Sequence, residues 1–160
     1  MVPVWGDLKR VFEALSYIVK PMSPKGTELI FTVSYDAWQR RDTSELCSFL
    51  EKKTCAGETD AAWRLGVQFS LWKNKIINEK KKELLGKKFE VCRPVSFYVL
   101  TNGGWKQGSK EGVRKVLEDM CAWMLEISKP GWCSVEFVSF AQSARAMANL
   151  AEVQGMEFEM

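Results

Sequence analysis

The chain has 160 residues, 46% of them apolar and 27% charged, with a formal net charge of +3. That balance lies outside the disordered range and fits a single domain over residues 1–160 with its own core. The small net charge predicts neither a nucleic-acid nor a membrane partner, and no apolar run reaches the roughly 18 residues a transmembrane helix needs. The opening Met1–Asp7 has no charged n-region or apolar h-region, so a cytoplasmic protein is expected. Five cysteines, Cys47, Cys55, Cys92, Cys121 and Cys133, are scattered and never spaced as CxxC. Free thiols in a reducing compartment are the simpler reading, and with no histidine a zinc site lacks its usual ligands.

From Asp7 to Lys20 apolar residues fall at Leu8, Val11, Phe12, Leu15, Ile18 and Val19, which is helical spacing closed by Pro21. Pro24-Lys25-Gly26 reads as a turn, and Leu29 to Val33 as a short buried strand. Asp42-Thr43-Ser44 caps a helix running to about Lys52, and residues 54–57 form a loop. Thr59-Asp60 opens a long helix with Trp63, Val67, Leu71 and Trp72 on one face; Gly66 weakens it but allows close packing. Lys73 to Lys88 carries seven lysines against Glu79 and Glu83. A solvated face accounts for them; an acidic partner is the sharper alternative.

Pro94 to Gly104 is the most informative stretch. A β-branched and aromatic strand, Val95 to Thr101, breaks into the polar loop Asn102-Gly103-Gly104. In α/β sheets ligands are held at such carboxyl ends. A helix follows from Ser109, with Val113, Val116, Leu117, Met120, Trp123, Met124 and Ile127 in register and Lys129-Pro130-Gly131 at its end. Val135 to Phe140 is a third strand, and Ala141 to Val153 a last helix. Alternating helices and strands predict an α/β fold: a mostly parallel sheet flanked by helices on both faces. Three strands are few for that class, so the sheet reads as incomplete.

Enzyme chemistry finds little footing. Without histidine there is no Ser-His or Cys-His nucleophile, and neither GxxxxGK[ST] nor GxGxxG occurs. The segment Gly103 to Ser109 precedes a helix N-terminus, where an anion fits, but a plain loop accounts for it.

Taken together, Asp7–Lys20, Gly26–Thr32, Gly57-Glu58-Thr59-Asp60, Tyr98–Gly103 and Val135–Phe140 resemble, in order and spacing, successive segments of the von Willebrand factor A-like domain. The resemblance is closest to the intracellular fungal versions and covers about Trp5 to Phe140. It implies a Rossmann-like architecture and a non-enzymatic protein-interaction role. In that family an Asp-x-Ser-x-Ser loop, a threonine and an aspartate hold a magnesium-type cation that engages an acidic group of a partner, as a hard cation with an open position does.

This chain departs twice from the pattern. No Asp-x-Ser-x-Ser occurs, so the family's first strand is expected to be missing and the domain N-terminally incomplete. Asn102 also stands where the family has aspartate. Thr59 is then the one matching ligand, and the site reads as degenerate. Magnesium is expected only if residues outside the chain complete it. Asn102 reads either as a neutral oxygen ligand or as a turn residue, and the loss of charge favours the turn. Thr59 reads likewise as a ligand or as a helix cap. Ser34 and Asp36 resemble half a metal loop in the wrong place, and Asp60 is better read as a cap.

Asn102, Gly103 and Lys106 are the candidate partner contacts. With the first strand missing, exposed sheet edges predict self-association. The alternatives are a ligand-binding or catalytic α/β domain using the loops after Leu100 and Phe140, and a remnant without independent function.

Overall fold

The computed structural model describes residues 5–23, 25–32, 37–53, 60–105, 109–140 and 142–154. Its elements run α1 (Trp5–Val19), a short 3-10 turn (Lys20–Met22), β1 (Thr27–Ile30), β2 (Ala37–Arg40), α2 (Thr43–Glu51), α3 (Ala61–Leu84), β3 (Val95–Thr101), α4 (Ser109–Glu126), β4 (Cys133–Ser139) and α5 (Ala144–Gln154). None of these helices is long and apolar enough to cross a membrane.

Local chemistry sets the helix ends. Asp42 caps α2 by accepting from the Ser44 backbone N–H at 2.8 Å, and that bond holds its carboxyl below the usual carboxylate range. Asp60 caps α3 through the Trp63 N–H at 2.9 Å. Along α1 the buried residues are Leu8, Phe12 and Ser16, each four apart, so one narrow stripe meets the core. On α3 the buried stripe is Ala61, Leu65 and Phe69, with Arg64 beside it. The close approach of α3 to α4 is made at Gly112, where an added Cβ would lie 2.7 Å from Ala62 Cβ; Gly66 faces Val116 with more room.

The fold is α/β, but among the described residues its strands β1–β4 form two separate pairs. β3 and β4 are parallel, from Val95 opposite Cys133 to Thr101 opposite Ser139. β1 and β2 are antiparallel, from Thr27 opposite Arg40 to Ile30 opposite Ala37. The expectation of one mostly parallel sheet is therefore corrected. The connection from Ile30 to Ala37 is too short for a crossover, which takes a dozen or more residues, so these two strands can only fold back on each other. The strand expected to run to Val33 starts earlier and ends at Ile30. β2 has no counterpart in the sequence reading.

The expectation of helices on both faces also needs revision. Val95, Phe97, Cys133, Val135 and Phe137 turn one face of β3–β4 into a core shared with Leu65, Phe69, Val113, Leu117, Trp123 and Leu150. On the opposite face Ser96, Tyr98 and Glu136 are exposed. Only at its carboxyl end is that face covered, where Leu100 and Phe140 join a second cluster built on Leu8, Phe12, Leu46 and Leu50. α1 and α2 meet that face through the cluster that Leu100 and Phe140 join, which leaves Ser96, Tyr98 and Glu136 in water.

β2 is locked onto α2 by aromatic contact. Trp38 stacks on Phe49 with ring centroids 4.7 Å apart and planes 12° apart, and the Arg40 guanidinium lies 4.1 Å over Trp38 while pairing with Glu45 at 3.0 Å.

Candidate functional site

The loop at the carboxyl end of β3 is the candidate site, and the Thr101 hydroxyl at its start is turned inward. Thr101 is buried at the strand's last position. Its hydroxyl oxygen accepts two hydrogen bonds, from the Gly103 N–H at 3.1 Å and from the Trp105 indole N–H at 2.9 Å. The Thr101 carbonyl accepts from the Phe140 N–H at 2.8 Å, extending the β3–β4 ladder past β4. Trp105 is buried, its ring 5.9 Å from that of Phe137.

Asn102 behaves as its turn reading predicts. Its side-chain oxygen accepts from the Gly104 N–H at 3.1 Å, an Asx turn that leads into Gly103 at φ +69°. The Gly103 carbonyl accepts in turn from the Asn149 side chain of α5 at 3.2 Å. Gly103 is itself buried, because the loop lies directly on α5. Thr101, Gly103, Trp105 and Asn149 thus form one small network that fixes the loop to the last helix. Sequence reasoning singled out Asn102 and Gly103 but missed Trp105 and Asn149. A tryptophan two residues after Gly103 is a visible hint of an inward-folded loop; nothing local marks Asn149.

Thr59 and Lys106 lie outside the described residues, as do Ser34 and Asp36. The geometry therefore places Asn102 and Gly103 together and has no bearing on a Thr59–Asn102 pair. Among the described residues no three His, Cys, Asp or Glu side chains converge as a metal-binding group would require.

The described thiols, Cys47, Cys92, Cys121 and Cys133, are poorly set for nucleophilic work. Burial pushes the Cys133 thiol up to about 12, with Cys121 nearby adding to the shift. Burial likewise raises Cys47, Cys92 and Cys121. A reactive cysteine needs the opposite shift, toward thiolate near neutral pH.

The network makes a direct prediction. Thr101→Val keeps the shape but leaves the Gly103 and Trp105 donors buried without an acceptor, at roughly 1–3 kcal/mol each. A loss of about 2–4 kcal/mol is expected in urea unfolding, with Thr101→Ser largely retaining stability. Equal stability of the valine and serine variants would show that the hydroxyl is dispensable.

Comparison of the chain with protein-family models, with curated proteins and with solved structures finds no match.

Proposed function

We propose that this chain is a non-enzymatic protein-interaction domain of the von Willebrand A-like type, acting inside the cell with a degenerate cation site. One observation carries the reading. Among the described residues β1 pairs only with β2 and β3 only with β4, although Leu29 of β1 and Leu100 of β3 pack into the same cluster. In the family that the segments resemble, the first strand lies between the strands matched here by β1 and β3. An antiparallel pair and a parallel pair meeting at one cluster without hydrogen bonding is the arrangement that such a fold leaves when that position is unfilled. The Asn102 side-chain oxygen accepts from the Gly104 N–H in an Asx turn, and burial raises the Cys133 thiol, which adds support to the non-enzymatic reading.

Unpaired strand edges bind extended segments through main-chain hydrogen bonds, with neighbouring pockets selecting side chains. The isolated chain is therefore expected to self-associate across the micromolar range in sedimentation velocity, and an added strand-forming segment of a partner to raise its melting temperature. Asn102→Asp is expected to leave magnesium affinity negligible by calorimetry, because one carboxylate alone is too few hard ligands. A monodisperse monomer with a sharp, high melting transition would overturn the open-edge reading. Sub-millimolar magnesium binding abolished by Thr59→Ala would overturn the degenerate site.

A further inference from the structure

We infer that the end of α3 and the loop behind it, residues 80–93, form a docking surface for an anionic lipid bilayer. The whole-chain charge of +3 conceals how the charge is distributed. Between Lys73 and Arg93 there are eight cationic residues and only three carboxylates, Glu79, Glu83 and Glu90. Two of those carboxylates are engaged within the segment. Glu90 pairs with Lys75 at 3.9 Å and with Lys25, while Glu79 pairs with Lys82 at 2.5 Å and accepts from the Glu90 N–H at 2.7 Å. Lys80, Lys81, Lys87, Lys88 and Arg93 have no ion pair among the described residues.

The same segment shows apolar side chains to water. Leu84 is 78% exposed, Leu85 68%, Val91 73% and Phe89 43%. The last α3 residues packed on the core are Ile76 and Ile77, and every residue from Lys81 to Val91 is exposed. Yet the tip is built, not frayed. The Lys87 N–H donates to the Lys82 carbonyl at 2.9 Å and the Gly86 N–H to Glu83 at 3.0 Å, with Gly86 at φ +64°. This is a Schellman cap, and it normally closes with an apolar contact between the residues that are here Lys82 and Lys87. Cations occupy the positions where leucines would close the cap, and the leucines face outward.

Apolar side chains at an ordered tip, ringed by lysines, match the chemistry of a charged membrane surface. The hydrocarbon sinks past the headgroups while the ammonium groups stay level with the phosphates. A nucleic-acid backbone would use the cations but leave the aliphatic Leu84, Leu85 and Val91 in water. The side chains that carry this surface lie outside the strands, and the vesicle assay reads them without reference to strand pairing, so it stands or falls separately from the interaction reading above.

The test is co-sedimentation of the full chain with vesicles of phosphatidylcholine alone and of phosphatidylcholine containing phosphatidylserine. At low salt, binding is expected to be about tenfold or more tighter on the anionic vesicles and to weaken as salt rises. Lys80→Glu with Lys81→Glu, and separately Leu84→Ser with Leu85→Ser, are each expected to cut that binding about tenfold with the melting temperature unchanged, since all four side chains are exposed. No preference for the anionic vesicles in the unaltered protein would overturn the proposal whatever the variants do. So would anionic binding that survives both double substitutions. Tight binding to an oligonucleotide or to polyglutamate without vesicle binding would assign the surface to those partners instead.

Discussion

Gly103→Ala is expected to destabilise the fold by about 3–5 kcal/mol, at the upper end of single-substitution effects. Two costs coincide at this position. Gly103 sits at φ +69°, where an L side chain is strained, and an added Cβ would lie 2.5 Å from the Ala146 carbonyl oxygen and 3.0 Å from its Cβ. Neither neighbour is the end of a flexible side chain; both belong to α5. The loop would have to leave the helix, breaking the Asn149 bond to the Gly103 carbonyl and exposing Trp105. For a chain of this size the melting temperature should fall by roughly 6–20 °C. Gly104→Ala is the control, because its Cβ would meet only the Asn102 side chain, at 3.2 Å, and Gly104 carries no positive φ. Equal melting temperatures for the two variants would show that the loop does not pack on α5.

The second large effect belongs to the other cluster. Leu46 is 1% exposed and lies with Leu8, Phe12 and Leu50 under the carboxyl end of β3–β4. Leu46→Ala should remove about 3 kcal/mol, partly as lost transfer energy and partly as an unfilled cavity. Leu100 and Phe140 belong to this cluster while their strand neighbours Phe97 and Phe137 belong to the first. Both clusters are therefore expected to melt together, with amide protection in α4 falling alongside that in α1 and α2. Two separated transitions, with α4 protection unchanged, would show that the shared strands do not couple them.

What was legible in the sequence was local. Asp42 and Asp60 announce their helices because a carboxylate at that position satisfies backbone donors within three residues. The Leu8–Phe12 spacing and the Val95–Thr101 run announce α1 and β3 by periodicity and residue type. β2 was illegible because Ala37-Trp38-Gln39-Arg40 has one large apolar side chain and no alternation. Its strand conformation comes from pairing with β1 and from Trp38 lying on Phe49, and neither partner is encoded in those four residues. The site divides the same way. Asn102-Gly103 advertises a turn, whereas the bond from Asn149 spans 46 positions and has no local signature.

The shared strands also bear on how the chain is made. Leu8 and Phe12 belong to a cluster that is closed by Phe140, near the other end of the chain. On a ribosome adding about 5–20 residues per second, α1, α2 and the β1–β2 pair emerge several seconds before the residue that completes their cover. Throughout that interval Leu46, Leu50 and the Trp38–Phe49 stack have a partial roof at best. Holding nascent chains apart over this window, by trigger-factor-type or Hsp70-type chaperones, should raise yield more than any change made after release, and slowing translation beyond Thr101 should lower it.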